Sequence, residues 1–273
     1  MPDNAVSVLM LGDVVGEAGI RALERTLPAL IQRFSAVFVT ANGENSSVLG
    51  MTEEDARRIF AAGVDVITSG NHVWEKRPFW TFMDSEERTL RPANYPPPAA
   101  GHGFVVIKKK SFRFLVINLQ GREYMTPIDC PFHVFDEIIK TAGVSAQTED
   151  SAPDCPLFVL VDFHAESTRE KEALGFHTDG RASVLAGTHT HIQTADEKIL
   201  PQGTAYISDM GMTGVLSGII GMDKEICLER ARKQISYPLH CAEGAASVQG
   251  ICVRLAPETG AAKFIERFSV PAD

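Results

Sequence analysis

The side chains of this sequence that could do chemistry stand directly after short apolar runs. A carboxylate follows VLMLG, a carboxylate and an amide follow FVTANG, an amide follows VITSG, and imidazoles follow LVDF and VLAGT. These residues are Asp13, Glu44, Asn45, Asn71, His164, His189 and His191. Two-metal phosphoester hydrolysis needs such a mixed set of oxygen and nitrogen ligands, with one carboxylate able to bridge both ions. The pattern therefore predicts a metal site.

The most specific of these motifs is SGNHVWE, which begins at Ser69. Asn71 offers an amide oxygen to a metal, whereas His72, as the next residue, points elsewhere and can serve as a proton donor. A turn with a hydrogen-bonded Asn71 and a histidine satisfied in the core is the structural alternative. The motif follows an apolar run and a glycine, which favours the functional interpretation.

Two histidines two residues apart, His189 and His191, follow the apolar run that ends at Thr188. In extended backbone this spacing sends both side chains to the same side, so the two imidazoles can serve adjacent metals. Structural alternatives stay open for each motif alone: a plain turn at Asp13, a solvated loop at Glu44, a satisfied buried histidine at position 164. Five such fragments in one chain are improbable by chance.

Short β-rich runs alternate with helical patterns, which is typical of a layered α/β fold. The predicted strands cover 6–11, 36–40, 64–68, 104–108, 112–118, 157–162, 183–187, 205–208, 246–255 and 263–270. The predicted helices cover 17–33, 53–62 with Thr52 as N-cap, 135–141 and 168–174, and the acidic segment 149–156 is expected to be an exposed connection. Ligands bind outside the carboxyl ends of strands in open α/β sheets, so the strand ends above should converge on one crevice.

Charge excludes some classes of partner. Lys and Arg number 26 against 35 Asp and Glu, and the formal net charge is −9. Generic binding to nucleic-acid backbone or to an anionic membrane is not expected, because that affinity comes from many Lys and Arg contacts. A nucleotide-sized substrate held by metal ions is compatible with this balance.

Length and cysteine usage favour one cytoplasmic domain. The 273 residues are within reach of a single α/β domain, here expected over 1–273. The five cysteines are scattered without a CxxC pair, which predicts reduced thiols. No segment approaches the ~18 apolar residues that span a membrane, so a cytoplasmic location is expected.

The series GDVVG, ANGEN, GNHVWE, DFHAE and GTHTHIQTAD resembles the YmdB-like family of calcineurin-type metallophosphoesterases. The similarity covers nearly the whole chain and includes RPANYP, VINLQGR, TDGRAS, GTAYISDMGMTG and GMDKE. Two features depart from the broader superfamily: Asp13 lacks the histidine of the usual Asp-x-His, and a glutamate stands where aspartate generally bridges. Both departures are typical of the YmdB-like subgroup.

The resemblance implies a four-layer α/β/β/α sandwich of two mixed sheets flanked by helices. One metal would take Asp13, Glu44, Asn45 and His191, and the other Glu44, Asn71, His164 and His189, with Glu44 bridging. His72 occupies the position that the family uses as proton donor to the leaving group. Iron or manganese are the metals implied.

The predicted function is a dinuclear metal-dependent phosphodiesterase that hydrolyses phosphodiesters, cyclic nucleotides above all, by attack of a metal-bridging hydroxide. Two alternatives stay open: a regulatory RNA- or protein-binding protein with a metal-organised site, and a phosphomonoesterase or nucleotidase. Native substrate and oligomeric state, a homo-oligomer included, are left open by the sequence.

Overall fold

Two mixed β-sheets packed face to face lie at the centre of the structure, a computed structural model that describes residues 5–145 and 155–272. The strands are β1 (Val6–Leu11), β2 (Asp13–Val14), β3 (Phe38–Asn42), β4 (Val66–Thr68), β5 (Phe104–Lys109), β6 (Phe112–Gln120), β7 (Leu157–His164), β8 (Val184–Thr188), β9 (Lys198–Ile199), β10 (Ala205–Ile207), β11 (Met212–Val215), β12 (Ala246–Leu255) and β13 (Ala262–Ala272). The helices are α1 (Gly16–Phe34), α2 (Glu53–Ala62), α3 (Arg77–Ser85), α4 (Pro131–Ser145), α5 (Thr168–Thr178) and α6 (Lys224–Lys233). The predicted connection over 149–156 lies outside the described residues except for its last two positions.

Both sheets contain a run of parallel strands. The first sheet has the order β2-β11-β12-β1-β3-β4, and β13 also pairs with β12. Strands β1, β3 and β4 are parallel neighbours in it. The second sheet has the order β5-β6-β7-β8-β10-β9, in which β6, β7 and β8 are parallel. Parallel neighbours place their carboxyl ends at one edge of the sheet, where ligands commonly bind.

Alternating side chains along the strands create the layers. In β1, Val8 and Met10 belong to the core between the sheets, whereas Leu9 and Leu11 pack towards the helices. Between the sheets, Phe38 of β3 stacks on Phe114 of β6 with ring centroids 4.1 Å apart. Helices α1 and α2 cover the outer face of the first sheet, and α4 and α5 cover that of the second. The predicted α/β/β/α sandwich is confirmed.

Local sequence signals predicted some boundaries better than others. The bounds of β1 and α2 agree with the prediction, and α2 begins with a capping box. Its Thr52 hydroxyl oxygen accepts from the Asp55 N–H at 3.1 Å, while Asp55 accepts from the Thr52 N–H at 3.0 Å. Strand β3 lies two residues further along than predicted, and helices α3 and α6 were not predicted. The two strands predicted over 104–108 and 112–118 are present as β5 and β6, which pair as an antiparallel hairpin.

Two predictions from composition also concern the fold. All five cysteines are free thiols, as their scattered spacing predicted. Among the described residues, none of the helices combines the length and the apolar character that crossing a membrane requires.

Candidate metal centre

The seven side chains predicted as metal ligands come together where strand ends from both sheets meet. Asp13 lies in β2, Glu44 and Asn45 follow β3, Asn71 follows β4, His164 ends β7, and His189 and His191 follow β8. Asn71 and His189 are partly exposed, and the other five are buried. A hydrogen-bonded network links all seven, so the convergence expected from the strand ends is present.

Glu44 lies at the centre of this network and is fully buried. Its Oε1 is 2.9 Å from His164 Nε2 and accepts from Asn45 Nδ2 at 3.3 Å. Its Oε2 accepts from the backbone N–H of His72 at 3.1 Å. The Asn42 side-chain oxygen accepts from the Glu44 N–H at 3.1 Å, which fixes the turn after β3. Both carboxylate oxygens are therefore held in place.

The first group of side chains surrounds His164 Nε2. This nitrogen lies 2.9 Å from Glu44 Oε1, 3.1 Å from Asn71 Oδ1 and 3.0 Å from His189 Nδ1. A ring nitrogen carries at most one hydrogen, so it cannot donate to all three neighbours. The ligand atoms of Glu44, His164 and His189 all lie within 4.8 Å of one another, which suits a shared metal ion.

The second group consists of Asp13, Asn45 and His191, and Asn45 connects it to Glu44. His191 Nε2 is 3.1 Å from Asn45 Nδ2 and 3.7 Å from Asp13 Oδ1. Asp13 Oδ1 and Asn45 Oδ1 are buried without a hydrogen-bond partner among the described residues. A buried polar atom left unpaired costs about 1–3 kcal/mol, and a cation would satisfy both oxygens. The donor set therefore fits a second ion.

Burial and neighbouring charges set the ionisation of the centre. Burial raises the pKa of Asp13 to about 7. For Glu44 burial acts in the same direction, but the adjacent His164 imidazole outweighs it and lowers the pKa of Glu44 to about 2. Burial also opposes protonation of His164, yet Glu44 and Asp13 raise the pKa of His164 to about 9. The site thus favours a positive charge beside Glu44, which a metal ion also supplies.

Hydrogen bonds on the far side of two imidazoles fix which nitrogen faces the centre. Thr188 Oγ1 donates to Asp162 Oδ1 at 2.6 Å and therefore accepts from His164 Nδ1, 3.0 Å away. His191 Nδ1 donates to the carbonyl oxygen of Ile220 at 2.8 Å. In both rings Nε2 therefore faces the centre, and it would present its lone pair to a metal ion that takes the place of a proton there, as is usual for histidines that bind metals.

The backbone after β8 differs from the predicted extended conformation. The φ angles of His189 and His191 are 105° and 62°, both in the left-handed region. Their rings consequently diverge: His189 Nδ1 faces His164, while His191 Nε2 faces Asp13. The premise that extended chain places both rings on one side was therefore wrong, although both side chains do reach the centre.

A buried aspartate holds this left-handed segment in place. Asp209 Oδ2 accepts from the N–H of Thr190 at 3.1 Å and from its hydroxyl at 2.9 Å. The same oxygen is 2.9 Å from Lys171 Nζ, and both side chains are almost completely buried. Asp209 Oδ1 accepts from the Gly211 N–H at 2.9 Å. We attribute the bend at Thr190, and hence the divergence of the two histidines, to this anchor.

Two glycines leave room for the centre. A Cβ added at Gly70 would lie 2.2 Å from the His164 ring, and one added at Gly12 would lie 2.1 Å from the carbonyl oxygen of Gly211. Neither contact is sterically allowed. Glycine before Asn71 and before Asp13 is thus required by close packing beside the proposed ligands.

His72 borders the centre without belonging to either group of ligands. Its N–H contacts Glu44, while its side-chain Nδ1 lies 3.7 Å from Glu75 Oε1. The side chain is 29% exposed and lines an open cleft of about 640 Å³. Its neighbour Asn71 points towards His164, so the two adjacent side chains diverge as predicted. This position suits a group that meets a substrate rather than an ion.

The sequence matches the profile of the family described as YmdB-like protein over residues 9–268. This match covers all seven proposed ligands, His72 and both sheets except for the start of β1 and the end of β13.

The chain belongs to the YmdB-like family.

Relatives of this YmdB-like chain agree with the fold. The 2',3'-cyclic-nucleotide 2'-phosphodiesterase of Bacillus subtilis (strain 168) is 40% identical over 97% of both chains. The crystal structure of a hypothetical protein from Thermus thermophilus has a TM-score of 0.87 at 35% identity, covering 98% of this chain and 100% of that one. The crystal structure of a phosphatase from Mycoplasma pneumoniae has a TM-score of 0.88 at 29% identity, covering 99% of this chain and 95% of that one. The predicted family and fold are confirmed.

Sequence reasoning missed the residues that orient the ligands of this YmdB-like centre. Asp162 accepts from Thr188, Thr68 and Asn42, and the Thr188 hydroxyl in turn contacts His164. Asp209 and Lys171 anchor the segment of His189 and His191. Asp162 lies two residues before the end of β7, and Asp209 follows β10, so the position near a strand end is the signal that could have indicated them. Lys171, in a helix, carries no such signal.

Proposed function

We propose that this chain is a metal-dependent phosphodiesterase that hydrolyses cyclic nucleotides. The observation that carries the proposal is the position of Glu44, a buried carboxylate between two groups of ligand-type atoms. Its Oε1 lies within 3.3 Å of one atom from each group, His164 Nε2 and Asn45 Nδ2. Two ions that share one bridging carboxylate are the arrangement used for in-line displacement at phosphorus.

The ligand sets follow from the two groups around Glu44. Asp13, Glu44, Asn45 and His191 would hold one ion, and Glu44, Asn71, His164 and His189 would hold the other. Imidazole nitrogen combined with carboxylate and amide oxygen suits iron or manganese better than calcium. When bound, the pair of ions supplies an activated water nucleophile and neutralises charge on the phosphoryl oxygens.

His72 is the proposed proton donor to the leaving oxygen. The backbone contact with Glu44 places the residue beside the centre, and its side chain faces the open cleft and not the ligands. A sugar alkoxide is a poor leaving group, so its departure is faster when a proton arrives during bond cleavage. Proton donation by His72 matters most for diesters whose leaving group is such an alkoxide.

The substrate class is supported by the Bacillus subtilis relative, whose name describes cleavage of 2',3'-cyclic nucleotides at the 2' position. In that reaction the leaving oxygen is a ribose hydroxyl, and the phosphate stays attached through the other one. Proton donation from His72 to the leaving ribose oxygen fits this requirement.

The proposed function can be tested with a panel of substrates on protein of measured metal content. The panel contains 2',3'-cyclic nucleotides, a linear dinucleotide, and nucleoside 2'- and 3'-monophosphates. We expect cyclic nucleotides to be hydrolysed fastest, with a 3'-monophosphate as product, and Glu44→Gln to lose this activity together with its metal. Faster release of phosphate from monoesters would instead make the chain a phosphomonoesterase. Absence of turnover in the metal-loaded protein would favour a regulatory binding protein.

A further inference from the structure

A cleft of about 640 Å³ opens beside the candidate metal centre. Residues from three segments line it: Val48 after β3, His72 and Lys76 after β4, and Arg230, Tyr237 and Leu239 in and after α6. Its volume lies within the range of small-molecule sites, roughly 300–1,000 Å³. Two other clefts of similar volume, about 600 and 540 Å³, contain neither His72 nor any proposed ligand.

We propose that this cleft binds the nucleoside half of the substrate, with the base against the ring of Tyr237. The inference rests on the proposed function and deepens it. If His72 protonates a ribose oxygen, then the ribose and the base attached to it must lie on the side that the His72 ring faces. That side is the cleft, because the His72 side chain is part of its wall.

The lining chemistry suits a nucleoside. Tyr237 is half-buried and offers an aromatic ring on which any base can stack, since every base has a π-face. Val48 and Leu239 supply apolar wall, and Lys76 and Arg230 supply cationic groups suited to a phosphorylated ligand. The cleft therefore combines an aromatic platform, an apolar side and positive charge within reach of His72.

The walls are held in place before any ligand arrives. Asp55 accepts from the hydroxyls of Ser47 at 2.5 Å and Ser46 at 3.3 Å, which ties the Val48 loop to the start of α2. Val48 itself has a φ of 70°, a conformation that β-branched residues rarely adopt.

The facing wall is tied down in a similar way. Val48 and Leu239 pack into one apolar cluster with Met212 and Met222. Arg230 Nη1 donates to the carbonyl oxygen of Tyr237 at 3.3 Å, and Lys233 Nζ lies 5.8 Å from the centroid of the Tyr237 ring. A pocket that is already formed loses less entropy when it binds its ligand.

The test compares adenosine 2',3'-cyclic phosphate with 1-O-methylribose 2',3'-cyclic phosphate, which lacks a base. Tyr237→Ala should raise KM for the adenosine compound about tenfold, the effect expected for a lost stacking contact. The same variant should leave the base-free compound nearly unchanged. Tyr237→Phe, which keeps the ring, should behave as the wild type. Tyr124→Ala, at a tyrosine that is 88% exposed and outside the cleft, is the matched control.

The outcomes separate this inference from the function on which it rests. Wild-type enzyme that hydrolyses neither compound overturns the proposed function and the inference together. Wild-type enzyme that hydrolyses both, with an unchanged preference for the base in Tyr237→Ala, overturns the cleft assignment alone. Loss of that preference in Tyr124→Ala, but not in Tyr237→Ala, would place the base beside Tyr124 and overturn the cleft assignment.

Discussion

Glu44 is the residue whose removal should have the largest effect on metal content. It contacts both groups of proposed ligands, whereas Asp13 belongs to one group. We therefore predict that Glu44→Ala loses both of about two ions per chain and that Asp13→Ala loses mainly one. Elemental analysis of the purified variants provides the measurement. Wild-type occupancy in Glu44→Ala would exclude the bridging role.

His72 should affect chemistry and leave the metals in place. If His72 protonates the leaving oxygen, the His72→Ala variant should keep both ions but hydrolyse a cyclic nucleotide ~10²-fold more slowly, or slower still. Nitrophenolate leaves readily without a proton, so the rate of hydrolysis of a nitrophenyl diester should fall much less. The measurement is kcat for both substrates, made on wild-type and variant protein of known metal content. Equal losses for both, with metals retained, would mean that His72 orients the phosphate instead.

Among the structural elements, the segment after β8 depends on the buried pair of Asp209 and Lys171. Removing one partner of such a pair leaves an uncompensated buried charge and typically costs about 3–5 kcal/mol. We predict that Asp209→Ala lowers the free energy of unfolding by about this amount and also weakens metal binding, because Thr190 loses its acceptor.

Urea unfolding and metal titration measure the two effects of the Asp209 substitution. The exposed pair of Glu53 and Arg57 on α2 is the control, since Glu53→Ala should cost less than about 1 kcal/mol and leave metal affinity unchanged. An Asp209→Ala protein that is destabilised but binds metal with wild-type affinity would show that the histidine segment does not need this anchor.

Across the molecule as a whole, the two sheets share one core, and we predict that they unfold together as one domain. Trp74 and Trp80 pack on the helix side of the first sheet, whereas Phe114 lies in the second sheet and contacts Phe38 across the interface. Phe114→Ala should cost about 3–5 kcal/mol and lower the midpoint of tryptophan fluorescence and of far-ultraviolet circular dichroism alike. Separate midpoints would indicate two independently folding units.

The order of the layers and the identity of the residues in the metal centre could be predicted from the amino-acid sequence. Both follow from local information: alternating apolar runs and helical patterns set the elements, and a polar residue directly after an apolar run lies at a strand end. Parallel strands bring their carboxyl ends to one edge of the sheet. Asp13, Glu44 and Asn71 could therefore be placed near one another from the sequence alone. The capping residue Thr52 is equally local and was predicted for the same reason.

The resemblance to the YmdB-like family implied the division of these residues into two groups, but the orientation of their side chains comes from packing between distant elements. The left-handed backbone at His189 and His191 depends on Asp209, which lies 19 residues beyond Thr190 in sequence. The choice of ring nitrogen depends on Thr188 and on the carbonyl oxygen of Ile220, and the cleft beside His72 brings in Tyr237 from a segment that precedes β12. Contacts between residues so far apart in the chain leave no periodic signal, because each depends on how whole elements pack and not on the pattern within one.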